Sequence, residues 1–162
     1  MGQINVKAAA VLNARPQDVY AAIADYRNGH PNIVPKESIY DLQVEQGGYG
    51  EDTIIRFKVK ALGTELAFRQ RVSEPEPGRV LVEQDIDSPE NTATTFTVTP
   101  VEQGQQAHVE IATTMNPSPG FKGVVQRLLV PLINAPVYRK ELKLLEAFAQ
   151  QKRTTTTVES QS

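Results

Sequence analysis

The chain contains no cysteine and no tryptophan. Without cysteine there are no disulfides, no thiolate metal ligands and no thiol nucleophile. Its two histidines, His30 and His108, are too few for a histidine-rich metal centre, so neither a metal nor another cofactor is expected. A dominant charge is missing too. The 17 basic and 19 acidic side chains leave a net charge of -2, which supplies no electrostatic reason to bind nucleic acid. No apolar run approaches the roughly 20 residues of a membrane span, and the N-terminus lacks the layout of a signal peptide. A cytoplasmic protein without stable membrane insertion is the expectation, with at most transient membrane contact. What is present is ordinary globular composition, 40% apolar and 22% charged over 162 residues, enough for one core.

The chain opens on an alternating run, Ile4, Val6 and Ala8, which reads as a strand of period two. Pro16 then stands at a first helical position with Asp18 in the first turn, and Val19, Tyr20, Ile23 and Tyr26 form one apolar helical face. Gly29 is a helix stop, and His30-Pro31 opens a second short segment ending near Pro35. From Ser38 to Met115 the pattern changes to strands separated by turn residues at Gln46 to Gly48, Leu62-Gly63, Glu74 to Gly78, Asp87 to Asn91 and Glu102 to Gln105. With the first, that makes seven strands.

One hairpin can be registered directly. A two-residue turn at Leu62-Gly63 sets Ala61 opposite Thr64, and then Val59 opposite Leu66, Phe57 opposite Phe68 and Ile55 opposite Gln70. That face is apolar; the other carries Lys60 opposite Glu65 and Arg56 opposite Arg69, a like-charge pair that costs a little. Farther on, Phe96 is placed against Ile111, which leaves His108 and Glu110 outside. The longest apolar-periodic segment runs from Phe121 to about Gln150 through Val124, Leu128, Ala135, Tyr138, Leu142, Leu145 and Ala149. Pro131 and Pro136 predict a kink or break between residues 130 and 137. Residues 1–150 form one domain in this reading, and 151–162 a polar, frayed tail.

Strand, two short helices, six antiparallel strands and one long terminal helix is an α+β order. At this point the chain resembles the START-related, or SRPBCC, superfamily with its helix-grip fold, which includes polyketide cyclase/dehydrase-like proteins. The resemblance covers about residues 3 to 150. It rests on Ala14-Arg15-Pro16-Gln17-Asp18-Val19-Tyr20 leading to Asp25-Tyr26, on Phe96-Thr97-Val98-Thr99-Pro100 with the Val109 strand after it, and on the terminal segment ending Leu142-Lys143-Leu144-Leu145-Glu146-Ala147-Phe148. It implies a curved sheet wrapped around the terminal helix and, between them, a cavity for a hydrophobic small molecule such as a lipid, quinone, isoprenoid or polyketide-like compound.

The inward positions assigned to that cavity are Tyr26, Ile55, Phe57, Val59, Leu66, Phe68, Gln70, Val82, Gln84, Phe96, Val98, Val109, Ile111, Leu128, Leu132, Tyr138 and Leu142. Thr53, Thr94 and Thr113 are further polar members of the same faces. Gln70 and Gln84 matter most, because a buried amide without partners costs on the order of 1–3 kcal/mol and must meet water, ligand or a polar neighbour. These inward sheet positions contain no carboxylate, histidine or lysine. Binding without chemistry is therefore the leading reading, with entry between Tyr26 to Val34 and the Pro131–Pro136 break. The first alternative is a cyclase or dehydratase using Asp25, Tyr26 or His30 as acid and base, against which His30 reads as a solvated turn residue. The second is an interaction module that uses the basic face of Arg56, Lys58, Lys60, Arg69 and Arg71. Gly47-Gly48-Tyr49-Gly50 is read as a hairpin loop, since a strand and no helix follows it.

Overall fold

A computed structural model describes the backbone of residues 2–161 and the side chains of residues 2–152. Strand β1 (Ile4–Leu12) is followed by helix α1 (Pro16–Ala24) and a 3-10 turn at His30–Asn32. Then come β2 (Ile39–Gln46), β3 (Ile54–Ala61), β4 (Thr64–Glu76), β5 (Val80–Asp85), β6 (Ala93–Val101), a second 3-10 turn at Glu102–Gly104, and β7 (Gln106–Met115). Helix α2 (Phe121–Gln161) closes the chain. The strands form one antiparallel sheet in the order β1-β7-β6-β5-β4-β3-β2. The α+β helix-grip architecture expected from the sequence is the architecture found.

Local chemistry explains the elements. Pro16 occupies the first turn of α1, and Asp18 there accepts from Arg15 Nε at 2.7 Å. The β3–β4 hairpin has the expected register throughout, from Ile54–Arg71 to Ala61–Thr64, and Phe96 lies opposite Ile111. The Arg56–Arg69 clash is relieved from the neighbouring strand, where Glu45 reaches Arg56 Nε at 3.3 Å and Arg69 Nε at 2.8 Å. In the loop before β3, Gly48 sits at φ 140° with Arg27 so close that a Cβ would stand 2.4 Å from Nε, so only glycine fits.

Helix α2 departs from expectation in two ways. It is continuous through Pro131 and Pro136, where a kink or break was expected, and its backbone stays helical to Gln161, past the start of the expected tail. Its apolar residues also divide between two faces. Tyr138, Leu142, Leu145 and Ala149 are buried against β1 and α1, but Phe121, Leu128 and Leu132 are 81%, 66% and 72% exposed. Among the described residues no helix is long and apolar enough to cross a membrane. This division predicts that Leu145→Ala costs about 2–5 kcal/mol in chemical denaturation, whereas Leu132→Ala stays within about 0.5 kcal/mol of the parent.

Candidate functional site

Because α2 rests on β1 and α1 at one end of the sheet, it stands away from β3 and β4 at the other. The space left is a cavity of about 620 Å³. Its walls are Ile55, Phe57 and Val59 of β3, Leu66 and Phe68 of β4, Phe96 of β6, Met115 of β7, and Val130, Ile133 and Val137 of α2. Exposed lining residues, namely Lys60, Leu66, Ala67, Asp87, Pro89 and Lys122, form the open rim between the β3–β4 hairpin, the β5–β6 loop and the first turn of α2. Entry is therefore at the opposite end from the expected gate at Tyr26 to Val34, which instead packs the closed end.

That closed end is polar. Strand β5 turns Leu81, Glu83 and Asp85 inward, not Val82 and Gln84. The cause is a register shift between Ser73 and Glu76 of β4. Carried from the Glu76–Val80 pair without that irregularity, the ladder would set Gln84 opposite the buried Val72; with it, Glu83 takes that place. Gln84 faces out, and its amide donates to Asn91 Oδ1 at 2.8 Å.

Glu83 is the centre of the arrangement. Tyr26 donates its hydroxyl to Glu83 Oε1 at 2.6 Å, and His30 Nε2 lies 3.5 Å from the same oxygen. His30 is 3% exposed, which corrects its reading as a solvated turn residue. Its Nδ1 donates to the Ile23 carbonyl at 2.8 Å, its ring stacks on Tyr26 with centroids 4.5 Å apart, and Phe96 meets it edge-on at 5.8 Å. The turn that delivers His30 depends on Gly29, where a Cβ would stand 2.6 Å from the Ala22 carbonyl oxygen. Since Nδ1 carries the donated hydrogen, Nε2 of a neutral ring offers Glu83 only a lone pair.

Glu141 approaches from α2 and is also 3% exposed, lines the cavity, and has no hydrogen-bond partner among the described residues. Burial, and then the charge of Glu83, pushes its carboxyl well above the usual carboxylate range. Burial followed by Glu83 likewise raises the Tyr26 phenol. Beside them Tyr138 meets Thr113 Oγ1 at 2.5 Å, and Thr113 meets Thr94 Oγ1 at 2.8 Å; burial pushes the Tyr138 phenol up to about 12. Two buried acceptors, Gln70 Oε1 and Asp85 Oδ2, have no partner in the protein.

Of the residues the sequence assigned to the cavity, Ile55, Phe57, Val59, Leu66, Phe68, Gln70, Phe96 and Tyr138 line it. Val98, Val109, Ile111 and Leu142 are buried in the core without reaching it, and Tyr26 stands behind Glu83. Leu128 and Leu132 point to solvent, and Val82 and Gln84 to the outer face. Asp25 is apart from the cavity, accepting the backbone N–H groups of Arg27 and Asn28. The expectation that the inward sheet positions hold no carboxylate is overturned by Glu83 and Asp85 of β5, and Glu141 of α2 and His30 of the 3-10 turn add an acid and an imidazole from outside the sheet. The basic face proposed for a partner is partly neutralised: Glu45 bridges Arg56 and Arg69, and Lys58 reaches Asp41 and Glu65. His108 and Glu110 lie on the outer face of β7.

A profile described as "Polyketide cyclase / dehydrase and lipid transport" matches residues 3–150. The chain belongs to this family. Among solved structures, the KanY protein superposes with a TM-score of 0.78 at 26% identity, covering 93% of this chain and 99% of that one. An aromatase/cyclase, Zhui from Streptomyces sp. R1128, gives 0.75 at 14% identity over 93% and 96% of the two chains. A START superfamily protein from Mycobacterium smegmatis gives 0.69 at 14% identity over 93% and 99%. A search of curated proteins found no match. Membership in the polyketide cyclase/dehydrase and lipid transport family agrees with the fold, and the cavity and its acidic closed end are read from this chain's own residues.

The raised Glu141 carboxyl has a stability consequence. A carboxyl that holds its proton more tightly when folded contributes fully below its ordinary titration range, and that contribution is lost as pH rises toward the folded value. Glu141→Gln should therefore melt a few degrees above the parent at pH 7–8, with the gap closing as pH falls toward about 4.5. Thermal melts across that range measure it.

Proposed function

We propose that the protein binds a hydrophobic small molecule, of lipid, quinone, isoprenoid or polyketide-like character, in the cavity and releases it unchanged. The observation that carries this reading is the cavity itself: about 620 Å³, open at a polar rim, apolar along its walls and polar again at its closed end. Burying an apolar body there is worth about 25 cal/mol per Å² removed from water, and the polar end fixes orientation. Release without chemistry is supported by how the proton-bearing groups are engaged. His30 Nδ1 is committed to Ile23, the Tyr26 hydroxyl to Glu83 and the Tyr138 hydroxyl to Thr113.

One observation favours a second reading, that of a cyclase or dehydratase. His30, Glu83 and Glu141 are shielded from water at the end of a substrate-sized cavity, which is where general acid–base chemistry would be placed.

Native mass spectrometry of the purified protein, followed by denaturing extraction, tests both. A stoichiometric apolar adduct is expected, recovered with unaltered mass after incubation with fresh protein, and Val137→Trp should abolish it by filling the cavity. Loss of one water from the recovered compound would establish the enzyme reading instead. Equal adduct on the parent and on folded Val137→Trp would remove the cavity from consideration.

A further inference from the structure

The closed end of the cavity is rich in acceptors and poor in cations. Two acidic side chains, Glu83 and Glu141, are buried there and line it. Among the described residues, the only lysines lining the cavity, Lys60 and Lys122, are exposed on its rim, and no arginine lines it. Of the deep groups, Tyr26 donates to Glu83 and His30 Nδ1 to the Ile23 carbonyl, and His30 Nε2 faces Glu83 Oε1 at 3.5 Å; none of them is directed at Glu141. Independently of the acids, Gln70 lines the same cavity, and its amide oxygen is buried without a partner. A buried acceptor left unpaired costs on the order of 1–3 kcal/mol, and a buried anion without a countercharge costs more. Something that brings hydrogens and positive charge would satisfy both.

We infer that the ligand is a cationic amphiphile, a hydrophobic body ending in a protonated nitrogen that lodges between Glu83 and Glu141 within reach of Gln70. This rests on the ligand-binding reading above and narrows its ligand class. A primary ammonium carries three donors and the missing charge. A ketone or quinone oxygen is an acceptor only, and brings no hydrogen to Glu83, Glu141 or the Gln70 amide oxygen. An alcohol satisfies one acceptor and brings no charge. The upward shift of the Glu141 carboxyl in the empty protein fits the same picture, since a buried acid that lacks a cation holds its proton more tightly. When the ammonium enters, that proton leaves for solvent and the carboxylate takes the cation.

Three probes that share one bicyclic body decide the matter: naphthylethylamine, naphthylethanol and naphthylacetone, titrated by their fluorescence at pH 7.5. The parent protein should bind the amine about tenfold more tightly than either neutral probe. Glu141 makes no hydrogen bond that holds the fold, so Glu141→Gln should remain folded. It should narrow the amine's advantage over the neutral probes to about threefold or less. Lys122→Gln, at the rim, should keep the full preference. Uptake of all three probes without preference for the amine, or a preference that survives in Glu141→Gln, would overturn the assignment and leave the cavity as a ligand site. No uptake of any probe would overturn the ligand-binding reading and this inference together.

Discussion

Glu83 is buried among apolar side chains without a fixed cation, and the closed end of the cavity is organised around that fact. A carboxylate taken out of water needs hydrogen bonds and charge. Tyr26 supplies a hydrogen bond, and His30 supplies a site for a proton at the same oxygen. His30 in turn is held by the Ile23 carbonyl, by stacking on Tyr26 and by the edge of Phe96. Three parts of the chain, namely α1 with the turn that follows it, β5 and β6, are thus tied together at one carboxyl oxygen. Glu141 brings α2 to the same place with no hydrogen-bond partner of its own, and burial followed by the charge of Glu83 raises its carboxyl well above the usual carboxylate range.

Such an arrangement is poorly suited to stability and well suited to recognition. Apolar residues at 83 and 141 would pack the closed end without the desolvation cost of two acids. The protein offsets that cost elsewhere, with α1 and the C-terminal part of α2 closed over a continuous core that includes Val19, Ile23, Phe96, Val109, Ile111 and Leu145. Local departure from what folding alone would choose is the common mark of a functional site. Here the mark is chemically directed, toward donors and positive charge.

The sequence made the sheet legible because the strands carry strong alternation and a short turn. The β3–β4 register follows from Leu62-Gly63 alone, and Phe96 opposite Ile111 follows from two matched apolar sets. Strand β5 misled for a specific reason. Val80, Leu81 and Val82 are apolar on both faces, so alternation has no preference there, and the natural choice kept Glu83 and Asp85 in water. The irregularity between Ser73 and Glu76 reversed that choice; Pro75, which cannot donate to a ladder, marks the bulge without telling which face of β5 turns inward. The usable signal was Gln70: once it faces inward, pairing with Asp85 carries Asp85 and Glu83 inward as well. Helix α2 misled because Val130, Ile133 and Val137 offer an apolar face beside that of Phe121, Val124 and Leu128, and only contact with the sheet selects between them. The prolines did not break it.

Isotope-edited infrared spectroscopy of glutamate-labelled protein tests the central claim most directly, that an uncompensated acid is buried at the end of the cavity. A protonated carboxyl band should be present at pH 7, absent from Glu141→Gln and lost when a cationic amphiphile binds. A spectrum in which every glutamate is ionised at pH 7 in the empty protein would contradict the account.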